Sequence, residues 1–439
     1  MSALLERIDR AYLALFREYP SLWRLAVITG TGQIAFALLN IYALPVYIEH
    51  ILKKPGWVGL VSSTFLLCEM ILKWPMGRLS DHFGRKPFIV LGPLLISLNP
   101  TIIVHLPAKL MALIFPIRAA DGAGAAALWP PLFALVGDLV KSRSRAAAMS
   151  IMNGVYVGAI GAGIILGELI SRVFHTDLLA FYVASAMLVI SGATGYFALP
   201  KLRKKDPASV NSDGLAGPGA EEEAEDGHHI VKYSLPLVTT ITFFMSMGVL
   251  MLSPFIVLYI KDTLKFTGLE MTSLMIAVAV PVMILGLPLG HAADRWGKLL
   301  AVRISLSTAA LAMWLIPLCH SVVPLAAVAL LLVIGHITGT PAWLAIVSEL
   351  APSSRRGRIM SLVSTAEGAG AAVGPLIGQL FWDPKAILRF LNIDGKLGPS
   401  LENFLLNPHP EHIFYFSASI LTLTALLLIF ALRKPAPEH

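Results

Sequence analysis

A chain of 439 residues that is 56% hydrophobic and only 14% charged, with a mean hydropathy of +0.73, excludes an ordinary soluble enzyme or binding module, where the charged fraction is about 25%. The net charge of +7 does not indicate nucleic acid, because the basic residues stand in short clusters between apolar runs, where they orient a membrane protein. The two cysteines, Cys68 and Cys319, each lie inside an apolar run, which argues against a disulfide framework or a cysteine metal site.

The first stretch, ALLERIDRAYLALFREY, sets Leu5, Ile8, Tyr12, Leu15 and Tyr19 at helical spacing among Glu6, Arg7, Asp9, Arg10, Arg17 and Glu18. That pattern predicts an amphipathic helix on the membrane surface over 1–23 and is too charged for a cleavable signal. Apolar runs close to the roughly 20 residues that cross a bilayer as helix come next. They predict spans near 24–47, 57–77, 87–106, 110–138, 147–171 and 178–199, then near 234–260, 270–290, 299–319, 323–348, 359–381 and 412–432. The expected architecture is all-α integral membrane, with twelve transmembrane helices in two pseudo-symmetric six-helix bundles, 24–200 and 233–432. Between them, 201–232 begins with KLRKK and continues in Gly, Pro, Ala and acid, with almost nothing to bury, so it reads as a solvated linker in which His228 and His229 are solvated polar residues. A long connection, 382–411, separates the last two spans and reads either as a variable loop or as one holding a short surface helix that caps the outer mouth or meets a partner, and 433–439 forms a tail.

Alternate connections differ in charge. One side collects 23 of the 34 lysines and arginines and the other nine, the remaining two lying inside spans. By the positive-inside rule both termini and the linker face the cytoplasm, which predicts a multi-pass protein of the cytoplasmic membrane.

The second and third spans are joined by GRLSDHFGRK, and the same turn recurs 213 residues later: GHAADRWGK repeats Gly77, Asp81 and Gly84 as Gly290, Asp294 and Gly297, with Lys298 in the place of Arg85. At an offset of 211, Asp138, Arg145, Met149 and Ser150 match Glu349, Arg356, Met360 and Ser361, while Pro130, Gly163 and Gly167 match Pro341, Gly374 and Gly378. The chain is a duplicated unit, and parallel repeats with a substrate site at their interface are a transporter architecture.

The Gly-x-Leu-x-Asp-x-x-Gly-Arg-Lys turn, its echo and the linker together resemble the major facilitator superfamily over the whole chain. The resemblance implies alternating access, with Gly77, Asp81, Gly84, Arg85 and Lys86, and more weakly Gly290, Asp294 and Gly297, acting as a cytoplasmic gate in which Asp81 contacts a helix of the other half. Read without it, the turn is a glycine passage whose charges anchor it in water.

Ionisable residues inside spans cost about 2.5–3.5 kcal/mol each at the bilayer centre and are functional candidates by default. Glu69 and Lys73 stand at i,i+4 in span two, Arg118 and Asp121 at i,i+3 in span four, and both pairs can neutralise themselves. RAADGAG resembles the family's Arg-x-x-Gln-Gly-x-Gly motif, which implies a role in proton transfer for Arg118, and Asp121, in place of the glutamine, adds a titratable group that either exchanges a proton itself or locks Arg118 in its charged form. Glu367 in span eleven lacks a basic neighbour one turn away, and His336 in span ten is either a proton relay or a hydrogen-bonded packing residue. Glu168 sits near the outer end of span five, within reach of water. Gln33, Asn40 and Tyr47 repeat every seven residues in span one, and Phe244, Met247 and Met251 form an apolar stripe in span seven. With Trp129 and Trp343 beside the matched prolines, they are candidates for the cavity wall, although a Phe and Met stripe is also what helix packing requires.

No Walker sequence is present, Gly297-Lys298 being followed by Leu299, and no metal cluster is legible, so no cofactor is expected and transport would draw on an ion or solute gradient. The chain resembles the drug/proton antiporter branch most, with Gly154, Gly163 and Gly167 in span five, but Glu168 replaces that motif's final proline and Gly374-Pro375 stands in span eleven instead. The sugar-porter Pro-Glu-Ser/Thr tail after span six and the peptide-symporter Glu-x-x-Glu-Arg in span one are missing. The expected function is proton-coupled efflux of hydrophobic or amphipathic compounds by a monomer in the lipid bilayer. Proton-coupled uptake of a small polar metabolite is the alternative, and a membrane-embedded enzyme or receptor is the rival outside that class.

Overall fold

The computed structural model describes residues 15–140, 142–199, 235–349, 356–384 and 409–431, apart from the side chains of 142–147, 150, 283–296, 341, 344, 348–349 and 356–358. Most of the surface helix expected over 1–23, the linker 201–232, most of the connection 382–411 and the tail 433–439 lie outside the described residues.

Hydrocarbon cannot satisfy a backbone N–H or C=O, so each apolar run closes its own hydrogen bonds as helix. The long helices among the described residues are α1 (Pro20–Ile51), α2 (Val58–Phe83), α3 (Arg85–Val104), α4 (Ile114–Leu139), α5 (Ser142–Phe174) and α6 (Leu179–Ala198) in the first half. The second half contributes α7 (Leu235–Leu250), α8 (Gly268–Trp296), α9 (Lys298–Leu315), α10 (Val322–Glu349), α11 (Arg356–Trp382) and α12 (Glu411–Ala431). Nine of the described helices carry an apolar stretch long enough to cross a bilayer, whereas Leu235–Leu250 and Gly268–Val282 supply shorter ones. α11 is not among the nine, because Glu367, Gln379 and its glycines dilute its apolar residues. Leu95, Phe197, Val323 and Phe430 are exposed, as a lipid-facing surface requires.

The repeat is also visible in the packing. In the first half α2 packs on α4, α1 on α5 and α6, and α3 on α4 and α6. In the second half α8 packs on α10, α7 on α11 and α12, and α9 on α10 and α12, which is the same set displaced by six helices. Gly163 and Gly374 show why the matched glycines are needed: a Cβ on either would lie 2.7 Å from the Ile34 carbonyl on α1 or 2.8 Å from the Met247 carbonyl on α7. Gly84 and Gly297 each turn the chain from one helix directly into the next at φ +91° and +92°, a backbone region in which L side chains are strained.

The halves meet along two seams, α2 against α11 and α5 against α8, which the same six-helix displacement exchanges. The larger apolar core joins both halves through Leu38–Ile48 of α1 and Met251–Ile260, at the end away from Gly84 and Gly297. The smaller core stays within the first half. The end with Gly84, Gly297 and the basic turns is called the basic end below, and the opposite one the far end.

Candidate functional site

Arg118 and Asp121 lie one turn apart on α4, both almost completely buried, with the guanidinium 2.5 Å from the carboxylate. Asn99 donates to Asp121 at 2.7 Å, Arg118 donates to Asn40, and the guanidinium lies over the Phe65 ring at 4.6 Å. Asn40 reaches it from a π-helical turn, Leu38–Ala43, that widens α1 there. α1, α3 and α4 all belong to the first half, so this is a buried pair held within one half.

The second ionic group lies on the seam. Glu69 and Lys73 face each other at 3.0 Å on α2, and Glu367 on α11 interacts electrostatically with both of them. α2 and α11 come so close here that a Cβ on Gly368 would fall 2.6 Å from Met70. Glu367 is nevertheless exposed and has no direct ion pair among the described contacts. Tyr156 of α5 interacts electrostatically with Glu69 and Glu367, and its ring packs edge-on against Trp129 at 5.1 Å. Phe133 and Phe36 pack around Trp129 at 6.4 and 5.7 Å, and Trp129 and Phe36 are buried in the core of the first half. Two carboxylates, one ammonium and the half-buried Tyr156 ring, contributed by both halves, can bind and release a proton or a charged amphipathic molecule.

At the basic end Arg85 joins Asp81 at 3.7 Å and Asp138 of α4 at 2.8 Å, while Lys86 donates to the Leu199 carbonyl. The contacts described for Asp81 therefore stay within the first half, and Asp81 itself is largely exposed. A Cβ on Gly77 would meet nothing within 4 Å. The Asp294 side chain lies outside the described residues, and Gly290 falls within α8.

The far end holds contacts that the sequence alone did not show. Lys261, just beyond α7, reaches Glu168 of α5 at 3.0 Å and donates to the Tyr42 hydroxyl at 2.6 Å, and that hydroxyl donates to Glu168 at 3.1 Å. Glu168, expected to reach water, is buried instead, because its partner comes from the other half. His50 and Asp262, which occupy matching places 212 residues apart in the repeat, pair at 3.0 Å. Trp382 donates to Glu49 at 3.3 Å and the Gly59 amide to Gln379 at 2.7 Å. All of these contacts join the two halves at this end.

The remaining candidates are scattered. Gln33 is buried with its carbonyl oxygen unpartnered, and Tyr47 packs edge-on against Phe181 at 5.3 Å. Met247 is buried against the α11 glycines, and Trp343 donates to Thr242 at 3.1 Å. Phe244 is exposed, and His336 is exposed with Nδ1 3.4 Å from the Thr340 hydroxyl, away from the carboxylates. Among the described residues no group of His, Cys, Asp and Glu could hold a metal ion.

Comparison with known proteins gives a consistent result. The sequence model described as Major Facilitator Superfamily matches residues 25–233 and 238–439. Multidrug resistance protein 2 of Bacillus subtilis is 23% identical over 351 residues, 79% of this chain and 84% of that protein. Multidrug resistance protein 1 of the same organism is 23% identical over 330 residues, 74% of this chain and 80% of that protein. In fold, the crystal structure of a D-xylose-proton symporter superposes with a TM-score of 0.70 over 93% of this chain and 97% of that one at 12% identity.

Proposed function

From the premise that this chain belongs to the major facilitator superfamily, and is thus a multi-pass membrane transporter, we propose that it exports hydrophobic or amphipathic compounds in exchange for protons. The observation that carries this reading is the seam cluster. Glu69, Lys73 and Glu367 meet where the halves touch, beside Tyr156 and Trp129, so any change in the angle between the halves changes their separation. The relatives named multidrug resistance proteins favour export over uptake. Glu367, exposed on α11 at the seam, is the proposed coupling group, while the buried Asp121 stays within the first half.

The two units proposed to rock against each other are 24–200 and 233–432, joined by the linker 201–232, in a monomer with lipid around it. The basic end is proposed to face the cytoplasm, a reading the distribution of lysine and arginine supports. On that reading the far-end contacts close the outer mouth, and the conformation faces inward.

The test is made in liposomes under an imposed pH gradient, following release of a cationic dye together with proton movement. The expected result is dye accumulation against its gradient that consumes the proton gradient in the wild type and in Asp121→Asn, and that is lost in Glu367→Gln. Dye that stays put, while small acids or sugars move with protons, would replace export with uptake.

A further inference from the structure

The seam cluster has an unequal charge count: two carboxylates, Glu69 and Glu367, against one ammonium, Lys73. The neighbouring elements do not correct the imbalance. On α4, Arg118 and Asp121 neutralise each other, α7 carries no ionisable side chain over Leu235–Leu250, and α5 offers the phenol of Tyr156. His336 of α10 is turned to Thr340. The cluster therefore has room for one further positive charge.

We propose that Lys73 sets how much positive charge this site accepts. Its ammonium, 3.0 Å from Glu69 on the same helix, neutralises one carboxylate and moves with α2, which leaves Glu367, exposed on α11, to take its counter-charge from outside the cluster. That counter-charge is a proton or one singly charged organic cation, whose apolar body lies against the half-buried Tyr156. Occupancy by one excludes the other, because a second positive charge would leave the cluster net positive in a low-dielectric site. Without Lys73 the two carboxylates, drawn from opposite sides of the seam, would hold a doubly charged cation. The inference rests on the reading of the seam as the transport site and adds a rule for which substrates it takes.

The experiment uses the full chain in detergent and measures equilibrium binding of tetraphenylphosphonium, with one charge, and methyl viologen, with two. Wild type is expected to prefer the single charge, and Lys73→Gln to shift the ratio of affinities toward the double charge by about tenfold or more. Glu367→Gln should lose both cations. Glu69→Gln should lose them as fully, because Lys73 then neutralises Glu367. Lys73→Gln with Glu367→Gln restores the wild-type charge count and should restore the preference for the single charge, while Lys73→Arg should match wild type. An unchanged ratio in Lys73→Gln, a double variant as inert as Glu367→Gln, or a wild type that binds neither cation overturns the inference. Where Lys73→Gln does not fold, Glu69→Gln decides: retained binding there overturns it. A wild type that binds the single charge but moves none in liposomes fails the transport reading and leaves the charge rule standing.

Discussion

Two ionic groups sit inside this membrane protein, and they differ in what they are fastened to. Arg118 and Asp121 are held by Asn40, Asn99 and Phe65, all in the first half, and almost no solvent reaches them. Glu69, Lys73 and Glu367 straddle the seam, and Glu367 is exposed on α11. On the proposed rocking of the halves, a charge pair within one half keeps its geometry as they move. A group divided between the units has its energy tied to their angle, which is what coupling requires.

The strongest test of that contrast is stability. Asp121→Ala leaves a buried guanidinium uncompensated and is expected to cost about 3–5 kcal/mol, lowering the thermal midpoint in detergent. Arg118→Met combined with Asp121→Leu should recover most of it, since an apolar pair of similar volume replaces the ions. Glu367→Ala, at an exposed position, should cost within about 1 kcal/mol. Equal losses from Asp121→Ala and Glu367→Ala would erase the distinction.

Next comes the latch at the far end. Lys261→Met removes the cation shared by Glu168 and Tyr42 and should move the populations of the two orientations by about tenfold toward opening of that end. Spin labels at Lys53 and Lys265, equivalent turns with φ +53° and +54°, would report a longer distance between the halves. An unchanged distance distribution would show that the apolar core alone holds the far end shut.

The division between what could and could not be read from the sequence follows the same line. The spans, the repeat and its turns, and both i,i+3 and i,i+4 pairs were legible because each depends on local spacing. Glu168 was misjudged because its partner, Lys261, is 93 residues away and across the pseudo-symmetric interface, where helical periodicity carries no information. Tyr156 drew no notice as a lone tyrosine among the glycines of α5, and only the fold brings it to Glu69 and Glu367. The matched residues His50 and Asp262 could have been found: the 212-residue offset pairs them, and residues related by a two-fold operation can meet on its axis.

The smallest expected effect separates two glycines of one turn. A Cβ on Gly77 or on Gly84 would meet nothing within 4 Å, so crowding distinguishes neither. Gly84 differs by its φ of +91°, which its counterpart Gly297 shares at +92°. Gly84→Ala should therefore cost about 1 kcal/mol in thermal stability and Gly297→Ala about the same, because an L residue is strained in that conformation. Gly77→Ala lies inside a helix, where alanine is favoured, and should be neutral or stabilising by up to about 1 kcal/mol. If Gly77→Ala instead slows transport at unchanged stability, that glycine serves the moving contact between the halves, and the turn acts in the gate as well as in the fold.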